Sequence, residues 1–113
     1  MNKKRIPPPI SFADSEYQSF HMERDATLTI YMKSWQEEPF KVVFKHAIQF
    51  LYRLGDVPKG LYELNSSLFL EEALSIEYIK VPLDHPYKHF QIEDIQDFPF
   101  IQVIAEAVTI EVP

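Results

Sequence analysis

The sequence predicts a mainly β domain, an antiparallel sandwich or open barrel of six to seven short strands with one short helix. Three observations carry this. Leu28, Ile30 and Met32 alternate with Thr27, Thr29, Tyr31 and Lys33, and Phe40, Val42 and Phe44 alternate with Lys41, Val43 and Lys45. That period of two gives each strand one face to bury and one to wet. Short apolar runs are divided by stretches of turn chemistry such as Gly55-Asp56-Val57-Pro58-Lys59-Gly60, which holds both glycines. A chain of 113 residues that is 46% hydrophobic and 14% aromatic has enough apolar volume for one core.

Residues 1–10 read as a flexible, proline-rich arm, because Pro7-Pro8-Pro9 favours polyproline II and cannot join a ladder. Residues 11–113 form the single domain. Phe12, Tyr17, Phe20 and Met22 anchor a loop and a first short strand, and Glu23-Arg24-Asp25 turns into the long strand that follows. Gln36-Glu37-Glu38-Pro39 makes the next turn. From Phe44 to Leu54 a helical face and an alternating face compete. No Ser, Thr, Asp or Asn between Phe40 and Phe44 could cap a helix, so strand is preferred, with a bulge near His46-Ala47. Leu61 to Leu64 is a short strand. Ser66-Ser67 caps a helix that runs to Ser75, with Glu71 and Glu72 near the positive end of its dipole. Ile76 to Val81 alternates as a strand, Pro82 to Pro86 is a loop, Tyr87 to Ile92 is a strand and Glu93 to Pro99 turns. Phe100 to Val112 is a long final strand whose apolar register shifts near Glu106, predicting a bulge or a change of face there.

The absence of Cys excludes disulfides, thiol catalysis and Cys-based zinc sites. It suits a cytoplasmic protein, and no run is long and apolar enough to span a bilayer. Of the four histidines, His85 and His89 have helical zinc spacing, but Pro86 breaks a helix there, and on a strand they stand about 13 Å apart. No metal or cofactor is expected. There is no Gly-rich phosphate loop, no Gly-x-Ser-x-Gly elbow and no EF-hand pattern.

Charge is unevenly placed. Residues 1–55 carry eight Lys/Arg and six Asp/Glu, whereas residues 56–113 carry three and eleven. Such an acidic second half disfavours nucleic acid, which needs clustered cations, and suits a basic protein partner. The candidate contact residues are Tyr31 and Trp35, large rings flanking Lys33 on one strand face, with the carboxylates Glu71, Glu72, Glu93, Asp94 and Asp97. If the chain instead encloses a pocket inside an open barrel, His46, Tyr52, His85 and Tyr87 are the polar groups that would line it. A third expectation is self-association through a sheet edge, the final strand foremost.

Glu23-Arg24-Asp25 leading into Leu28 and Ile30, Trp35, Phe44, His85-Pro86-Tyr87-Lys88 and the closing Phe98 to Glu106 run resemble a set of small bacterial β-rich domains. Some of these look like immunity proteins that neutralise toxins of neighbouring cells. The resemblance covers roughly Phe20 to Val112 and, joined to the missing catalytic motifs and the acidic second half, points to a non-enzymatic, protein-binding role with a basic toxin as the natural target. Related sequences often carry His before the Asp at the start of the long strand. Arg24 stands there in this chain, so no His-Asp chemistry and no catalytic residue follows from the likeness.

Overall fold

A computed structural model describes residues 3–113. In chain order the elements are β1 (Lys3–Ile6), β2 (Glu16–Met22), β3 (Leu28–Lys33), β4 (Pro39–Lys45), β5 (Gln49–Tyr52), β6 (Pro58–Leu64), α1 (Leu68–Glu77), β7 (Lys88–Asp94), β8 (Pro99–Ala105) and β9 (Ala107–Glu111). They build two antiparallel sheets. Sheet A has the order β1-β6-β7-β8-β5 and sheet B the order β2-β3-β4-β9. The architecture is a β-sandwich with one helix, and neither sheet closes into a barrel.

Alternation decides which side chains meet between the layers. Leu28, Ile30, Met32, Phe40, Val42 and Phe44 of sheet B face Leu61, Phe90, Ile92, Ile101 and Val103 of sheet A in one buried cluster. Phe12 closes one part of it, fully buried, edge-on to Phe40 with ring centroids 5.4 Å apart. A smaller cluster of Leu70, Ala73, Leu74, Tyr87 and Ile104 lies beneath α1 on the other side of sheet A.

Three hairpins share one turn geometry. In Glu23–Thr27, Ser34–Glu38 and Asp94–Phe98 the first residue's N–H donates to the fifth residue's carbonyl at 2.9, 2.9 and 3.0 Å. The fourth residues, Ala26, Glu37 and Asp97, take φ of 67°, 63° and 61°. This is a type I turn completed by a left-handed residue, a position that glycine usually fills. Neither glycine is used this way. Gly55 is required for a close approach, since a Cβ there would sit 2.6 Å from Cβ of Phe100.

Several expectations need correction. Lys3–Ile6 is not a flexible arm but an edge strand, paired residue for residue with Leu64 to Leu61 before the prolines end it. The first two residues of that arm lie outside the described residues. Between Phe44 and Leu54 the chain is extended, as expected. The anticipated bulge is a corner, where His46 adopts φ of 56° and the chain leaves sheet B for sheet A. The register shift near Glu106 is the matching return, from β8 in sheet A to β9 in sheet B. Ile76 to Val81 is not a strand. The helix runs on through Glu77, and the chain is irregular to Tyr87; among the described residues no strand pairs with it to receive an alternating face. β7 extends two residues past Ile92, so Glu93 belongs to a ladder rather than to a turn, and Asp94 is both the last rung of that ladder and the first residue of the turn.

Candidate functional site

The helix is placed by its cap. Ser67 is extended, and its hydroxyl oxygen accepts from the Leu70 N–H at 3.0 Å while lying 2.7 Å from Nδ1 of His89 on β7. An oxygen already accepting from the backbone leaves its proton free to donate to that ring nitrogen, which ties the start of α1 to sheet A. His89 is 2% exposed, and burial pushes its pKa down, outweighing the opposing influence of the nearby Gln102 side chain. Leu70, Ala73 and Leu74 face the sheet, so the opposite side of α1 faces solvent.

That outer side and the irregular segment after it carry an unusual load. Leu68 is 84% and Ile76 77% exposed, Ile79 and Leu83 stand fully in solvent, and Val81 is also exposed. Five large aliphatic side chains thus lie uncovered within sixteen residues. The carboxylates around them are Glu71, Glu72, Glu77 and Asp84, all exposed, against the single cation Lys80. An isolated exposed leucine is unremarkable, but an apolar run rimmed by one sign of charge is the composition of a contact surface.

Beside this surface the two crossings between the sheets lie together. The Glu106 N–H donates to the Lys45 carbonyl at 2.9 Å, and the His46 ring bonds the Glu106 carboxylate. The His46 ring meets Tyr87 at 5.9 Å, and Tyr87 in turn meets Tyr78 at 6.2 Å and His85 at 6.5 Å between centroids. Burial first, then the charges of Glu77 and Glu106, pushes the Tyr87 phenol up. Three residues of the expected pocket, His46, His85 and Tyr87, therefore do converge. They do so outside the sandwich rather than around an interior cavity, because phenylalanines fill the space between the sheets. Tyr52 is elsewhere, stacked on Tyr17 at 4.8 Å beside a cleft of about 290 Å³. Among the described residues no three His, Asp or Glu side chains converge as metal ligands.

The expected contact residues are scattered. Glu71 and Glu72 lie on the helix surface just described. Tyr31 is half-buried on the outer face of sheet B, with the Lys41 ammonium 5.9 Å from its ring centre, and borders a groove of about 610 Å³. Trp35 is exposed in the β3–β4 turn rather than on the strand beside Tyr31. Asp97 is exposed in the β7–β8 turn and bonded to Lys59, whose ammonium holds that carboxyl low. This turn lies at the far end of β7 from α1, about 20 Å away at the usual rise.

Glu93 and Asp94 are corrections. At 1% and 3% exposure neither offers a carboxylate to a partner. Asp94 is a turn-builder: Oδ1 accepts from the N–H groups of Gln96 and Phe98, and Oδ2 from that of Asp56. Burial alone would raise its pKa, and those three donors outweigh burial and lower it. Glu93 accepts from Lys3 Nζ at 3.0 Å and from the Gln91 amide at 2.6 Å, with Lys59 Nζ 3.8 Å away. What sequence reasoning missed is the aliphatic series from Leu68 to Leu83. Its signal lies in the apolar residues after Ser75, whose alternation mimics that of a strand.

Compared with protein-family models, with curated proteins and with solved structures, the chain matches none.

Proposed function

We propose that this chain is a non-enzymatic protein-binding domain of the immunity type, which docks a basic protein partner such as a toxin on α1 and the segment that follows it. One observation carries the reading: the uncovered aliphatic series Leu68, Ile76, Ile79, Val81 and Leu83 sits among four carboxylates and one lysine. Apolar side chains at the centre of a contact supply affinity, and a rim of one sign selects the partner and speeds encounter. The partner is therefore a protein with an apolar patch inside a cationic border.

The test compares two baits. The wild-type chain and a triple variant, Ile76→Asp, Ile79→Asp and Leu83→Asp, are immobilised and exposed to extracts of the source cell and of its neighbours. Wild type should retain a basic protein that the variant loses, and added salt should weaken the retention. Circular dichroism should show both baits folded. Equal retention by the more acidic variant would mean that charge alone recruits, and would overturn the assignment of this surface.

A further inference from the structure

Among the described residues β1 is a four-residue edge strand that pairs only with β6. Lys3, Lys4 and Arg5 are exposed and only Ile6 is partly buried. Pro7-Pro8-Pro9 follow and lend no N–H to any ladder, while Phe12 is fully buried and fixes the chain beyond. Detaching residues 3–9 therefore breaks one short ladder and leaves the sandwich closed.

What detachment leaves behind is less tolerable. The Lys3 ammonium lies 4.8 Å from the Tyr62 ring centre and bonds both oxygens of Glu93, at 3.0 and 3.1 Å. Ring face, carboxylate and the exposed edge of β6 together form a site for a lysine on an extended strand. Without Lys3, the enclosed Glu93 keeps only Gln91 and the more distant Lys59. An emptied site selects a basic strand, and opening is inexpensive only if one arrives.

We infer that β1 exchanges between two copies of this chain, the partner's Lys3 filling the Tyr62–Glu93 site. The exchange restores every contact of β1 and β6, so the proline segment and the copy concentration decide which form dominates. Sequence pairing across the ladder suits this occupant. Lys4 stands opposite Glu63, and Arg5 opposite Tyr62, which sets the cations of β1 beside acidic and aromatic acceptors.

The chain has no cysteine, so introduced thiols report cleanly. Lys4→Cys and Glu63→Cys are made in separate full-length chains, mixed at high concentration and oxidised. These positions are opposed in the ladder, where Cα atoms are within disulfide reach. A disulfide-linked heterodimer should exceed several-fold the product from Lys4→Cys mixed with Glu71→Cys, whose thiol lies on exposed α1. The wild-type chain should sediment as a reversible dimer as concentration rises. Heterodimer no greater than in the control, or a strictly monomeric wild type across that range, overturns the exchange. So does a Lys4→Cys/Glu63→Cys double variant that closes only within its own chain at every concentration.

Discussion

The Glu93 cluster and the α1 surface occupy opposite ends of the same side of sheet A, and each inverts what its residue types suggest. At one end a carboxylate is sealed under two lysines and an aromatic ring. At the other, leucine and isoleucine stand in water beside glutamates. Residue type alone would have exchanged the two. Charge is buried where partners distant in sequence converge on it, and apolar side chains are exposed where no element of the fold comes to cover them. The first end is therefore a device of stability, and the second is the surface we propose for recognition.

Substitutions can break that contrast. The largest effect is expected from Glu93→Ala, which removes the common partner of Lys3, Lys59 and Gln91 and should cost about 3 kcal/mol, measured by urea unfolding. Leu70→Ala comes next. It opens the small cluster beneath the helix and should cost about 2 kcal/mol, and comparison with Leu68→Ala on the exposed side separates the two faces of α1.

The third effect depends on pH. His89 has a lowered pKa in the folded chain, so the unfolded chain takes up the proton first. Stability from this group is complete above about pH 6.5 and falls as pH drops below it. Chemical unfolding at pH 7.5 and pH 5.5 should show that loss, and His89→Gln should flatten it. Smallest of all is Ile79→Ser with Leu83→Ser. It should shift stability by no more than about 0.5 kcal/mol, because nothing in the fold packs on either side chain, while partner retention falls. A large loss of stability from that pair would sharpen the matter differently, by showing that the fold itself uses these residues.

Legibility followed the range of the interactions. The β3–β4 hairpin, the Ser67 cap and the register shift near Glu106 were readable because period, cap chemistry and register are local signals, although that the shift carries the chain into the other sheet was not. Ile76 to Val81 misled because alternation is necessary for a half-buried strand but does not supply the neighbour that would pair with it. Three segments read as arm or as parts of longer strands, Lys3–Ile6, Gln49–Tyr52 and Ala107–Glu111, became strands in their own right through long-range pairing. The meeting of His46 with Glu106 and Tyr87 spans 60 and 41 positions, and Lys3 reaches Glu93 across 90. No spacing in the sequence announces such meetings. The acidic character of residues 56–113 was visible, but which of those carboxylates stay in solvent was not.

The side-by-side crossings at His46 and Glu106 bear on how the molecule comes apart. Two strands pass nearly without interruption from one layer into the other, β4 into β5 and β8 into β9. Neither layer can fray without loosening the ladders of its counterpart. Amide hydrogen exchange should accordingly find the slowest protons in both sheets, opening together with one shared free energy rather than as two separable foldons.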